Sequence, residues 1–520
     1  MFLENNTAVS MRHITKAFGT KVVANKDVSL DIERGEILAL LGENGSGKTT
    51  LMNMLSGIYH QDSGQIFVDG REVHITSPKD AYDLGIGMIH QHFKLVDVLT
   101  ATENVALGMD KKTAKNNREI AKAIEEICEK YGFDVDPKQK VYNMTVSQKQ
   151  TLEIVKTLYR GANILILDEP TAVLTPQETD KLFAVLRNMK ADGKSIIIIT
   201  HKLNEVLAIS DRVSILRKGE YIGTVLTAEA SVQSLTDMMV GQKVELDIDR
   251  PEVDNSVKRL SISHLTCLDK YGVKALDDVS FDAYGGEILG VAGISGSGQK
   301  QLLEAIAGLQ RAEGGSSVKY YDPESGEEHE LIGKSVTEIK NMGVALSFVP
   351  EDRLGMGLVG TMGMTDNMML RSYRNGKNIF ADRKAPRNLA IKVKDELEVL
   401  TPSIQTPVRR LSGGNVQKVL VGREIACEPT VLMAAYAVRG LDINTSYTIY
   451  RLLNEQKQMG VAVIYVGEDL DVLLALCDRI AVLCDGKLNG VLDGRTATKE
   501  EVGMLMTHLK EGNDDGNDDA

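Results

Sequence analysis

A ten-residue stretch near the N-terminus returns 251 positions later, and this duplication constrains the chain more than any other feature. Val28-Ser29-Leu30-Asp31-Ile32 and the following Arg34-Gly35-Glu36-Ile37 reappear as Val279-Ser280-Phe281-Asp282-Ala283 and Gly285-Gly286-Glu287-Ile288. Each copy runs into a glycine-rich turn, Gly42-Glu43-Asn44-Gly45-Ser46-Gly47-Lys48-Thr49-Thr50 in the first and Gly293-Ile294-Ser295-Gly296-Ser297-Gly298-Gln299-Lys300-Gln301 in the second. Further on, Ser210-Asp211-Arg212-Val213 is echoed by Cys477-Asp478-Arg479-Ile480 at an offset of 267, so the second copy carries 16 extra residues, which loops absorb readily. At 520 residues the chain exceeds what one hydrophobic core supports. Two copies of one domain satisfy both observations.

Within each copy the pattern reads as α/β with a mixed β core and a helical part. Ile164-Leu165-Ile166-Leu167 and Ile196-Ile197-Ile198-Ile199 are too short for helices and do not alternate, as expected of strands buried on both faces. The segment Asn117 to Tyr131 is amphipathic at helical spacing. The expected boundaries are a first domain over 1–241, a polar linker over 242–258, a second domain over 259–509 and an acidic, disordered tail over 510–520.

Gly42-x-x-x-x-Gly47-Lys48-Thr49 is the full phosphate-loop pattern, preceded by the apolar run Ile37 to Leu41 and followed by a helical segment. Glycines let backbone N–H groups converge on phosphate oxygens, and the helix N-terminus adds its positive end. Gly42, Asn44, Gly45, Ser46, Gly47, Lys48, Thr49 and Thr50 are therefore assigned to a bound nucleotide, with Lys48 at the β- and γ-phosphates and Thr49 on Mg²⁺. Asp168 and Glu169 end the strand that starts at Ile164. Their chemistry fits a Mg²⁺ ligand (Asp168) and a carboxylate that polarises the attacking water (Glu169), because phosphoryl transfer needs positioning and charge neutralisation. Two solvated carboxylates opening a turn is the bland reading, and a phosphate loop nearby weakens it. His201 follows a strand and stands on the same rim or serves structure only; Gln91 follows a short apolar run and suits either a Mg²⁺/water contact or a plain loop amide. Phe18, placed before the first strand pair, could stack on adenine or belong to the core.

In this order, the loop at 42–50, Gln91, Asp168-Glu169, Ala172-Val173-Leu174-Thr175 and His201 resemble the Walker A, Q-loop, Walker B, D-loop and switch histidine of ABC ATPases. The resemblance covers nearly the whole chain, twice, and implies two tandem ABC-type P-loop ATPase domains. In that family two such domains close head to tail, and ATP lies between one domain's Walker A and the other's LSGGQ signature. The second copy has Leu411-Ser412-Gly413-Gly414-Asn415, which implies that Ser412, Gly413 and Gly414 contact ATP; the first has Met144-Thr145-Val146-Ser147-Gln148, where the β-branched Val146 hinders close approach to a phosphate. The Walker residues show the opposite asymmetry: Gln299, Ala435, Tyr436 and Glu468 stand where Lys48, Asp168, Glu169 and His201 stand, and Glu351 replaces Gln91. The intact Walker set thus pairs with the near-intact signature, as expected of one intramolecular sandwich with a single catalytic site (Glu169, His201, Gln91) and a metal bound by Thr49, Gln91 and Asp168. Pairing of each half with its own copy on another chain predicts no such pattern.

Fused double ATPases with Val349-Pro350-Glu351-Asp352-Arg353 and Leu411-Ser412-Gly413-Gly414-Asn415 resemble the energy subunits of bacterial uptake systems for sugars and nucleosides. Gly87-Met88-Ile89-His90-Gln91-His92-Phe93 and Lys156-Thr157-Leu158-Tyr159-Arg160-Gly161 are more similar to nucleoside importers than to ribose or galactose ones. The resemblance implies two transmembrane permease subunits as partners, an extracytoplasmic binding protein acting through them, and a peripheral position on the cytoplasmic face of the membrane. Lys94 to Leu107 is then the segment that meets the permease, or an ordinary helical surface. No stretch approaches the ~18 apolar residues of a membrane helix, and no export signal is evident. Five cysteines without a close pair suit a reducing compartment. Soluble twin-cassette ATPases acting on ribosomes or DNA form the competing class. A net charge of −13, the short linker and a single competent site argue against it and against nucleic acid as a partner. A nucleotide sensor without turnover is disfavoured by the complete set at 42–50, 168–169 and 201.

Overall fold

The computed structural model describes residues 6–19, 22–90, 93–108, 116–171, 174–243, 248–253, 256–269, 271–294, 296–342, 344, 346–373 and 383–507. The chain divides into two units, 1–245 and 246–520. In the first, the strands are β1 (Thr7–Phe18), β2 (Val22–Glu33), β3 (Ile37–Leu41), β4 (Ser63–Val68), β5 (Arg71–Val73), β6 (Ile86–Ile89), β7 (Ile164–Asp168), β8 (Ser195–Ile199), β9 (Arg212–Arg217) and β10 (Glu220–Leu226). They form an antiparallel sheet of order β2-β1-β4-β5 and a larger sheet of order β10-β9-β3-β8-β7-β6. The larger sheet is parallel from β6 to β9 and closes with an antiparallel edge at β10. β3, β7 and β8 are buried at every position, which explains their unbroken apolar runs.

The repeated sequence is a repeated ion-pair lock. Arg212, at the start of β9, donates from Nε to Glu36 Oε2 and from Nη1 to Glu33 Oε1, both at 2.9 Å. Beside it, Asp211 accepts from Ile37 N at 2.8 Å and from Lys190 Nζ at 2.5 Å. The two sequence segments that recur together, 34–37 and 211–212, are thus partners across the amino end of β3. Their role is to seat β3 against β9.

The second unit repeats the topology with β11 (Val257–Leu268), β12 (Lys274–Gly285), β13 (Ile288–Gly293), β14 (Ser317–Tyr321), β15 (Glu328–Glu330), β16 (Leu346–Val349), β17 (Val431–Ala435), β18 (Ala462–Val466), β19 (Arg479–Cys484) and β20 (Lys487–Asp493). Its sheets run β12-β11-β14-β15 and β16-β17-β18-β13-β19-β20. The lock recurs: Arg479 meets Glu287 at 3.1 Å, and Asp478 accepts from Ile288 N at 2.8 Å and Lys457 Nζ at 2.7 Å. β11 begins within the stretch read from sequence as linker, and the tail at 510–520 lies outside the described residues.

Each unit also carries a helical layer. In the first it comprises Ala101–Ala106, Asn117–Tyr131 and Val146–Tyr159, packed around a core of their own that includes Ile120, Ile124 and Leu152. The amphipathic stretch read from sequence is this middle helix, its buried Ile120, Ile124, Cys128 and Tyr131 spaced by one turn each. The loop leading into the layer is held by one buried amide. Asn104 accepts from Val96 N at 2.8 Å and donates to Val96 O at 3.1 Å and Thr100 O at 3.0 Å. Asn367 makes the same contacts with Val359 N, Val359 O and Gly363 O in the second unit. Among the described residues no helix is long and apolar enough to cross a membrane.

Asn104→Ala removes three hydrogen bonds made by a buried amide and leaves the Val96 N–H and carbonyl without this partner, so a loss of about 2 kcal/mol is expected. Urea denaturation measures it, and limited proteolysis should show faster cleavage around residues 95–100.

Candidate functional site

The carboxyl ends of β3, β7 and β8 lie side by side in the first unit, because Asp168 pairs with Ile199 and Leu40 with Ile199 across the shared strand β8. The turn after β3, the carboxylates after β7 and the histidine after β8 therefore converge, as ligand sites do at the carboxyl edge of parallel sheets. The turn enters the helix Lys48–Leu55 through Gly47, whose φ of 95° is left-handed. A Cβ there would stand 2.2 Å from the Ala24 carbonyl oxygen, so only glycine lets this turn close onto the neighbouring β2.

Lys48 is 7% exposed. Its Nζ donates to Gly42 O at 2.7 Å and Glu43 O at 3.0 Å, curling back over its own loop. Burial lowers its pKa, while Glu169, Asp168 and Glu43 act to keep the charge. The opposite tension holds Asp168: burial and the adjacent Glu169 raise its pKa to about 6, against the Thr49 hydrogen bond and the Lys48 charge. Glu169 sits at a left-handed φ of 49°, strained for a residue with a Cβ. One of its oxygens, Oε1, is paired with His201 Nδ1 at 2.9 Å, and this hydrogen bond raises the histidine pKa. The other, Oε2, is buried without a partner, as is Ser46 Oγ. A buried cation, a protonatable carboxylate and two orphaned polar atoms around one loop form a site built for a charged ligand, and the donor set of Thr49 and Asp168 suits Mg²⁺.

Of the other residues expected here, Asn44, Gly45 and Thr49 are exposed at the loop surface and Thr50 is half-buried. Phe18 ends β1 inside the first hairpin, not before it, and it is not core: it is 41% exposed, with its ring 5.3 Å from that of Tyr59 in an edge-on contact. Gln91, Ala172 and Val173 lie outside the described residues.

The second unit keeps the backbone and changes the chemistry. Gln299 occupies the lysine position and donates from Nε2 to Ile294 O at 3.1 Å, reproducing the lysine's loop contact without its charge. Lys300 turns away toward Glu304, 3.8 Å distant. Tyr436 has the same φ of 49° as Glu169, but burial and the nearby Glu468 and Glu351 push its phenol up to about 12, so it stays neutral at pH 7. A cavity of about 240 Å³ at these positions is lined by the apolar Ala435, Leu303 and Phe348 and by the charged Lys300, Glu304 and Glu351.

The signature positions divide the other way. Ser412 caps the helix Gly413–Ile425, with Asn415 N donating to its Oγ at 3.4 Å. A Cβ on Gly414 would lie 3.1 Å from Thr445 Oγ1 and 3.2 Å from Asp442 Oδ2, a tight fit that those side chains would have to relieve by a few tenths of an ångström. In the first unit Thr145 caps the helix Val146–Tyr159 through a capping box with Gln148, and Val146 is 39% exposed at its first turn. The helix is there; the two glycines are not.

A comparison with protein families matches the one described as ABC transporter over residues 25–172 and again over 276–434. The chain belongs to the ABC transporter family. It carries that family's ATP-binding cassette twice and is an ATPase. Similar curated proteins include the nucleoside import ATP-binding protein NupA of Lactococcus lactis subsp. cremoris, 40% identical over 97% of this chain and 99% of that protein. The guanosine import ATP-binding protein NupO of Bacillus subtilis is 39% identical over 96% of this chain and 97% of its own. A glucose import ATP-binding protein of Haloferax volcanii is also 39% identical, over 96% and 95%.

In this ABC ATPase, motif reading misses one pair of residues and the physical task of one motif. Asn104 and Asn367 share the contacts described above, a signal visible in the sequence as an asparagine recurring at offset 263. The basic residues of Lys156 to Gly161 prove to be anchors: Lys156 Nζ donates to Lys94 O at 3.1 Å, Arg160 donates to Leu107 O, and Glu153 accepts from Lys94 N at 2.9 Å. They staple the segment 94–107 to its helix at both ends.

Asp168 makes the nucleotide-free protein pay for function. As pH rises from about 4 to about 6, the unfolded chain has already ionised this carboxylate and the folded one has not, so stability falls across that window and stays lower above it. Asp168→Asn is therefore expected to raise nucleotide-free stability at pH 7.5 by about 2 kcal/mol and to have much less effect at pH 4. Calorimetry at the two pH values measures the difference.

Proposed function

We propose that this chain is the energy-coupling ATPase of an importer that takes up nucleosides, and that it hydrolyses ATP at one site to which both units contribute. The observation that carries the reading is a division of chemistry. The first unit holds Lys48, Thr49, Asp168, Glu169 and His201 together but has Val146 at its signature; the second holds Ser412, Gly413 and Gly414 on a capped helix but has Gln299, Ala435 and Tyr436 at its Walker positions. Each unit lacks what the other supplies.

In this reading Lys48 leaves its loop carbonyls for the β- and γ-phosphates, and the loop N–H groups orient them. Thr49 and Asp168, with Gln91, would hold Mg²⁺. A bound Mg²⁺ neutralises charge on the phosphates. Glu169 accepts the proton of the attacking water at Oε2, its unpartnered oxygen, while His201 fixes Oε1. Ser412 and the amides of Gly413 and Gly414 meet the γ-phosphate from the other side, again as a helix N-terminus. Phe18 offers an exposed ring for the adenine.

Nucleosides are favoured as cargo by the names of NupA and NupO and by the two loop motifs noted above. Sugar import is the second reading, supported by the glucose import relative. The partners in either case are two transmembrane permease subunits, reached by an extracytoplasmic binding protein, and the ATPase lies on the cytoplasmic face of the membrane with no role for nucleic acid. The segment 94–107, stapled at both ends and presenting Val98 at 68% exposure, is the proposed contact with the permease.

In the complex with its permease, Glu169→Gln is expected to cut ATP hydrolysis at least about 100-fold, the scale of a lost general base. Ser412→Ala should cost about tenfold, and Tyr436→Phe should leave the rate within about twofold. Hydrolysis that survives Glu169→Gln would remove the single-site assignment. Stimulation of the complex by binding protein loaded with guanosine or another nucleoside, and not with ribose or glucose, tests the cargo separately.

A further inference from the structure

The second unit places a guanidinium among its degenerate Walker positions. Arg439 stands in the turn after β17, at the repeat position of Ala172, and bridges carboxylates from two other segments. Its Nη1 meets Glu351 Oε1 at 2.5 Å and its Nε meets Glu468 Oε1 at 3.3 Å. The guanidinium carbon lies 5.9 Å from the Tyr436 ring centroid, and the Arg439 carbonyl accepts a hydrogen bond from Arg353. Glu351 follows β16 and Glu468 follows β18, and by the repeat these are the positions of Gln91 and His201.

We propose that Arg439 is a built-in cation that joins the loops after β16 and β18 permanently, in place of a divalent metal ion that comes and goes with nucleotide. Two carboxylates converging on one point repel unless a positive charge stands between them. The usual metal ligand is missing here, since Ala435 replaces the aspartate. A guanidinium is always charged, offers donors on two edges and is tied to the chain, so the joint persists when no nucleotide is present. The consequence is a second unit whose loops stay coupled while the first unit cycles. The inference concerns the second unit alone and does not depend on the cargo or on where hydrolysis occurs.

All three side chains are about half-exposed, so each contact is modest in energy and the protein should tolerate the loss of Arg439. The test is Mn²⁺ binding to the nucleotide-free full chain, followed by electron paramagnetic resonance. Arg439→Gln is expected to gain about one Mn²⁺ equivalent, bound at least about tenfold tighter than by the unmodified protein, because two carboxylates lose their internal cation. Arg439→Lys, which keeps the charge, and the double variant Arg439→Gln/Glu351→Gln should gain none. Unchanged Mn²⁺ binding in folded Arg439→Gln overturns the proposal, as does Mn²⁺ binding by the unmodified protein that Glu351→Gln abolishes. Should Arg439→Gln fail to fold, hydrogen exchange on the unmodified protein decides: amides of 351–357 and 467–470 should be equally protected with and without a chelator, and protection that falls on chelation overturns it.

Discussion

Charge buried at the two ends of β3 is the constraint around which the first unit is built. At the amino end the charges are paired: Glu36 is held by Arg212, and Asp211 by Lys190 and the Ile37 amide. At the carboxyl end they do not. Lys48 is buried against its own loop carbonyls, Asp168 is pushed toward neutrality, and one oxygen of Glu169 has no partner. A satisfied end fixes the strands in register, so the unsatisfied end can be held ready for a ligand. Stability and chemistry are thus separated along one strand of five residues.

The second unit shows that the scaffold does not need the chemistry. Its strand order, its Glu287–Arg479 lock and even the left-handed backbone at Tyr436 persist after the lysine, aspartate, glutamate and histidine have gone. What replaced them is neutral or internally paired: an amide on the loop carbonyl, an alanine beside a neutral tyrosine, and Arg439 between two glutamates. A centre whose charges are satisfied from within has no need of a metal or a phosphate to complete it.

The duplication and the buried parallel strands were legible from spacing and from apolar runs, because these are local patterns repeated along the chain. The phosphate loop was legible because a turn between strand and helix is itself a local structure. Phe18 was harder: its aromatic character suggests either core or ligand, and only the hairpin end on which it stands makes it exposed. The motif at 156–161 read as a family signature, and its physical task, tying down 94–107, appears only once the helix is packed.

By itself, then, the sequence determined that there are two cassettes, that Lys48, Asp168 and Glu169 lie in only one of them, and that the two signature glycines lie in the other. The tertiary structure alone decided that His201 grips one oxygen of Glu169 and leaves the other open, that Arg212 locks Glu36, and that Arg439 spans Glu351 and Glu468. The reason is physical. Motif spacing reports what neighbouring residues along the chain can form, whereas these pairings join strand ends far apart in sequence and follow from the order in which the strands line up in the sheet.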